Sequence, residues 1–115
     1  MKHSILTDYE EYSVFSGKPK ECLHHLIMGN SSRKLSDEDG LYIPLTNGEH
    51  NCSPNGKIFQ IHENPAAEKL SKMLGQVAWE KEYLAKELEK HGYDIDDIKD
   101  EARTHFMARY GRSFL

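Results

Sequence analysis

Four of the seven histidines fall in one central stretch: the doublet His24-His25 inside Glu21-Cys-Leu-His-His-Leu26, then His50, then His62 in Ile61-His-Glu-Asn-Pro65. Imidazole is a common transition-metal ligand and is also the side chain that exchanges a proton near neutral pH. Adjacent residues of a strand point to opposite faces, so the two members of the doublet are not expected to share one ion. One should be a ligand and the other should do a different job. In metal-assisted hydrolysis that job is a general base's, taking the proton of the attacking water. His50 and His62 would complete the ligand set with His24, leaving positions open for water and a phosphate oxygen, as in a catalytic rather than a closed site. His3, His91 and His105 read as ordinary surface histidines.

The elements that must position these residues belong to one small unit, since 115 residues support a single core. Hydrophobic content of 37% against 30% charged is a globular balance, and no apolar run is long enough to cross a bilayer. Met1 to Tyr12 carry no apolar signal-peptide core, so a cytosolic, reducing home is expected. There, Cys22 and Cys52 read as free thiols rather than a disulfide. Cys22 fits a small buried hydrophobe on a strand, and Cys52 could join Cys22 and a histidine around a closed zinc. The net charge of −4 argues against a sequence-independent nucleic-acid coat, yet it is unevenly spread. Lys18, Lys20, Arg33 and Lys34 flank the doublet, while Asp94, Asp96, Asp97, Asp100 and Glu101 crowd the far end. Arg33 and Lys34 read equally well as a solvated loop or as a phosphate clamp.

Tyr12 to Phe15 is a short extended candidate that stops at the turn signal Gly17-Lys-Pro19. Glu21 to Ile27 reads as a strand carrying the doublet. A polar loop is expected from Gly29 to Gly40, and Leu41 to Leu45 as a second strand whose Pro44 confines it to an edge or to its own end. From Thr46 to Asn64 the composition predicts a loop with at most a turn or two of helix near His50. Asn64 is then a good N-cap, Pro65 suits the first helical turn, and Glu68 complements the helix dipole. Ala66, Leu70, Met73, Leu74, Val77, Leu84 and Leu88 recur at helical spacing up to His91, with Gly92 placed to end the helix. Gly75 inside it costs about 1 kcal/mol relative to Ala, which close packing against the strand pair would explain. A second helix follows from Asp94, with Ile95, Ile98, Ala102 and Phe106 on one face. Trp79 and Met73 read as core.

The order of these pieces resembles the HNH endonucleases with their ββα-metal fold. His24-His-Leu-Ile-Met-Gly29, Asn30 to Ser36 with Arg33-Lys34, Gly40-Leu-Tyr-Ile-Pro-Leu45, Ile61-His-Glu-Asn-Pro65, Gly75-Gln-Val-Ala-Trp-Glu80 and Tyr110-Gly-Arg-Ser-Phe-Leu115 are similar to small HNH-type proteins of phages and prophages of Gram-positive bacteria, over roughly residues 20 to 115. The resemblance implies His24 as first metal ligand, His25 as general base, His50 and His62 as the remaining ligands, and Asp39 at the family's middle position before the second strand. One departure is physical. The usual HNH helix presents its last two ligands within one turn, whereas Cys52, Pro54 and Gly56 prevent one helix from spanning His50 and His62, so a loop must bring them together.

The expected architecture is therefore α+β, one HNH-like domain over residues 1–115. It divides into an N-terminal extension (1–20), metal-site strands and loops (21–64) and a helical part (65–115). The expected function is metal-dependent hydrolysis of DNA phosphodiester bonds, with zinc, magnesium, manganese or nickel as the ion. The second expectation is a phage-encoded, non-catalytic, metal-containing binding protein that inhibits a host nucleic-acid-binding protein or defence nuclease such as a CRISPR effector. An acidic surface suits such a basic partner. A zinc-stabilised structural adaptor is the third.

Overall fold

Strands β1 (Cys22–His25) and β2 (Tyr42–Leu45) form an antiparallel pair, with Cys22 opposite Leu45, Leu23 opposite Pro44, His24 opposite Ile43 and His25 opposite Tyr42. A computed structural model describes residues 2–29 and 31–115 of the chain. Met1, at the start of the expected N-terminal extension, and Asn30, in the expected 29–40 loop and the quoted Asn30 to Ser36 stretch, lie outside them. Among the described residues the sheet has two strands, so each is an edge, which is how Pro44 is accommodated. The extended candidate from Tyr12 to Phe15 reduces to one isolated bridge between Tyr12 and Pro19.

The expected loop from Gly29 to Gly40 is corrected: Ser32–Asp39 form helix α1. Its polar sequence has weak helical preference, and tertiary contacts decide the matter. The Ser36 hydroxyl, fully buried, donates to the Ile27 carbonyl at 2.9 Å, and the Leu41 N–H closes onto the Ser36 carbonyl at 2.8 Å. The link between the strands is thus a packed helix that runs directly into β2.

The long helix α3 (Pro65–His91) begins and ends where its caps dictate. Asn64 accepts from the Ala67 N–H at 3.2 Å, Pro65 occupies the first turn, and Gly92 takes the left-handed conformation (φ 67°) that a side chain would resist. Helix α4 (Ile95–Tyr110), capped by Asp94, folds back along α3. Glu80 receives Arg103 at 3.0 Å, and Trp79 meets Phe106 edge-on at 5.6 Å. The buried residues of α3 are Ser71, Gly75 and Gln76, while Leu70, Leu74 and Val77 remain exposed. Gly75 is required by close approach: a Cβ there would stand 2.9 Å from Ile27 Cγ1 and 3.1 Å from Leu26 Cβ. Gln76 holds the C-terminal tail down, accepting from the Phe114 N–H at 2.6 Å and donating to Ser113 Oγ at 3.0 Å.

The core gathers Leu26 and Ile27 just after β1, Leu41 just before β2, Ile43 and Leu45 from β2, Ile61 from the segment before α3, and Phe106 and Tyr110 from α4, with Trp79 packed against it. Burying each such side chain contributes about 1.5–3 kcal/mol, and the same cluster holds the strand pair against α4 through Phe106 and Tyr110. The fold is α+β, a two-stranded sheet with two long C-terminal helices. Among the described residues no helix is long and apolar enough to cross a membrane.

Candidate functional site

His24 is the buried member of the doublet. It lies on the inner face of β1 with no exposed surface, and its Nε2 stands 2.8 Å from Ser71 Oγ on α3. The strand alternation that buries His24 turns His25 toward α1 instead.

His50 ends a single helical turn, α2 (Asn47–His50), and a capping box builds that turn. Thr46 Oγ1 accepts from the Glu49 N–H at 3.3 Å while Glu49 Oε1 accepts from the Thr46 N–H at 2.9 Å. The same carboxylate receives the Ser13 hydroxyl at 2.6 Å. Burial opposes the charge of Glu49, but the donors from Ser13 and Thr46 outweigh it and hold the group below the usual carboxylate range. The sequence signal for this device, Thr46-Asn-Gly-Glu49, is the S/T-x-x-E pattern.

His62 is brought back to His50 by backbone pairing. The Ile61 N–H donates to the Glu49 carbonyl at 2.9 Å, and the His62 N–H donates to the His50 carbonyl at 3.0 Å. Buried Gln60 ties down the loop between them, accepting from the Ser53 N–H at 3.0 Å and donating to the His62 carbonyl at 2.7 Å. Glu63 then adopts φ 65°, a left-handed conformation unusual for a residue with a side chain, and turns the chain into α3. Bridging Cys52, Pro54 and Gly56 thus takes a folded loop held at both ends.

The three imidazoles form a closed group. Ring centroids stand 5.2 Å apart for His24 and His50, 5.1 Å for His24 and His62, and 4.5 Å for His50 and His62. One nitrogen from each lies within 4.8 Å of the others, so modest side-chain rotations would bring all three to one ion with nitrogen bonds of about 2.0–2.1 Å. The residues fit a metal on a second ground. His24 Nδ1 is buried and has no hydrogen-bond partner, an arrangement that is costly unless something accepts its lone pair. Burial, reinforced by His50, His62 and His25, lowers the His24 pKa to about 3, and burial together with His62, His25 and Arg33 lowers that of His50. Both rings are therefore neutral at pH 7, the form that binds metal.

His25 lies beside this group, close enough to perturb both His24 and His50. Its Nε2 sits 2.5 Å from Asp37 Oδ1 on α1, with the His25 side chain mostly buried. A carboxylate only accepts, so the Nε2–H donates and Nδ1 is left as the basic atom. Asp37, the partner of His25, has no signal in the sequence, because the polar stretch from Ser32 to Asp39 does not announce its helix.

Asp39, expected at the family's middle position, is engaged away from the histidines. Its carboxylate accepts from Trp79 Nε1 at 3.0 Å, Tyr110 Oη at 2.8 Å, and Arg109 Nε and Nη2 at 2.6 and 2.8 Å. These four donors bind α1 to α3 and α4 and give Asp39 a structural employment. Two residues further along an eight-residue helix is enough to turn its side chain away from that of Asp37. Cys22 packs against the core with its thiol toward the Leu45 carbonyl at 3.6 Å, Cys52 is exposed, and neither joins the histidine group among the described residues. Arg33 is exposed on α1 and close enough to His50 to act on its protonation. Comparison of this chain with protein-family models, with curated proteins and with solved structures returned no match.

Proposed function

We propose that the chain is a metal-dependent endonuclease of the HNH type, with β1, β2 and the segment bearing His50 and His62 as a ββα-metal core. The observation that carries this reading is the adjacency of two different devices on consecutive residues. His24 offers a buried, unpartnered nitrogen to two further imidazoles, and His25 is held by a carboxylate. His24, His50 and His62 would hold one divalent ion and leave coordination positions open. The bound ion would supply Lewis-acid stabilisation of charge on a phosphate oxygen.

The chain's own residues account for the proton. His25 Nδ1 takes it from the attacking water, and Asp37 at Nε2 keeps the ring oriented and favours the imidazolium that results. The exposed guanidinium of Arg33 is suited to a backbone phosphate, which it can grip with two parallel hydrogen bonds. DNA is the proposed substrate because neutral ligands leave the ion's positive charge available to a polyanion.

The test is plasmid nicking by the purified protein across magnesium, manganese, zinc and nickel, alongside metal analysis of the protein as isolated. The expected outcome is cleavage lost in His25→Ala and one ion per chain lost in His24→Ala. Stoichiometric metal without cleavage under any of these ions would overturn the enzymatic reading in favour of a metal-stabilised binding protein.

A further inference from the structure

We infer that Ser71 is a positioning residue for the metal site: it holds the ring proton of His24 on Nε2 and so makes Nδ1 the ligating atom. This inference rests on the metal reading of the three histidines, and its argument is one of hydrogen-bond direction. A serine hydroxyl carries a single hydrogen. Ser71 Oγ lies 2.7 Å from the Leu26 carbonyl, which can only accept, so the hydroxyl hydrogen is committed there. At the second contact, 2.8 Å from His24 Nε2, the hydrogen must then come from the imidazole. His24 is consequently the Nε2–H tautomer, and the bare lone pair is on Nδ1, the buried atom with no partner.

The relay joins three pieces of the fold: β1 through His24, the residue that leaves it through Leu26, and α3 through Ser71. Gly75 lies one turn along α3 from Ser71 and allows the helix to approach Leu26 and Ile27 closely, which brings Ser71 within reach of both partners. No residue near His24 in sequence supplies this acceptor. The metal site therefore draws its orientation from a helix whose own side chains bind no ion, and docking of α3 and metal affinity are coupled. Outer hydrogen bonds to metal-bound imidazoles generally matter in this way, fixing tautomer and ring angle.

The test is nitrogen NMR of the metal-free protein with 15N-labelled histidine, with zinc affinity measured by calorimetry on the wild type, Ser71→Ala and Ser71→Thr. A His24 ring proton on Nε2, slow to exchange in the wild type and in Ser71→Thr and exchanging fast in Ser71→Ala, is expected. Zinc affinity should fall roughly 10- to 100-fold in Ser71→Ala and recover largely in Ser71→Thr, which restores the hydroxyl. A ring proton found on Nδ1 of the wild type would overturn the inference, as would a Ser71→Ala protein that binds zinc as tightly as the wild type. Should Ser71→Ala fail to fold, the wild-type spectrum and the Ser71→Thr affinity decide. A wild type that binds no zinc, magnesium, manganese or nickel would defeat the metal reading itself, while the location of the ring proton would still judge Ser71.

Discussion

The His62 N–H donates to the His50 carbonyl at 3.0 Å, and the two rings stand 4.5 Å apart although eleven residues separate them in the chain. The backbone bond brings the two rings together without any ion.

A ligand bound only by the folded chain stabilises it, by about 2.7 kcal/mol at a hundred times its dissociation constant. For a domain of this size that corresponds to a rise in melting temperature on the order of 10–20 °C. Zinc or nickel should raise the melting temperature of the wild type and a chelator should reverse the rise. His62→Ala, which keeps the backbone bond but removes the ring, should lose most of the effect in the same thermal scans. An equal rise in His62→Ala would place the ion elsewhere.

The protonation of the buried ring gives a pH dependence with a definite sign. Burial first, then His50, His62 and His25, lower the His24 pKa from 6.5 to about 3. Between those values the unfolded chain binds a proton at His24 that the folded chain refuses. Stability is therefore fully present above about pH 6.5 and is lost progressively as pH falls toward 3. His50, lowered mainly by burial, acts in the same direction. Urea unfolding of the metal-free protein from pH 7.5 down to pH 4.5 should show a falling midpoint, corresponding to a loss of unfolding free energy on the order of a few kcal/mol over the series. His24→Leu should flatten the slope, and a wild-type midpoint independent of pH would contradict the burial of a neutral ring.

Much of this arrangement can be read in the sequence because its signals are local. Strand alternation splits the His24-His25 doublet, and Asn64-Pro65 with Gly92 marks both ends of α3. The oddness of Gly75 in a helix interior correctly signals close packing onto Leu26 and Ile27. What escaped depends on contacts across the fold. The polar residues of α1 carry no periodic apolar signal, and a serine hydroxyl bound to the Ile27 carbonyl holds the helix in place. The resemblance singles out Asp39 alone, and only the helical geometry of α1 shows that Asp37 is the carboxylate facing His25. Likewise the pairing of Ile61 with Glu49 has no signature, since neither residue's type demands it.

Gly75→Ala tests the closeness of α3 to the strands. Alanine should gain about 1 kcal/mol of helix propensity, but its Cβ meets Ile27 Cγ1 at 2.9 Å and Leu26 Cβ at 3.1 Å. Overpacking of this kind costs about 1–3 kcal/mol, and the neighbours belong to the core, so the net change is expected to be destabilising. Chemical denaturation should show a lowered midpoint. A stabilised Gly75→Ala protein would mean that Leu26 and Ile27 yield easily, and with them the position of Ser71.

Asp37 and Asp39 should separate function from stability. Asp39→Ala leaves Trp79, Tyr110 and Arg109 without their shared acceptor, which should cost about 1–3 kcal/mol and leave zinc affinity near that of the wild type. Asp37→Asn should do the reverse. An amide at that place no longer favours an imidazolium, so cleavage should fall roughly 10- to 100-fold, less than the roughly 10²- to 10⁴-fold expected for His25→Ala. Its melting temperature should change little, because Asp37 is partly exposed and binds one partner. Paired thermal melts and nicking assays on the two variants give the comparison. If Asp39→Ala abolished cleavage while melting like the wild type, Asp39 rather than Asp37 would be the acid of the site, and the roles drawn from α1 would have to be exchanged.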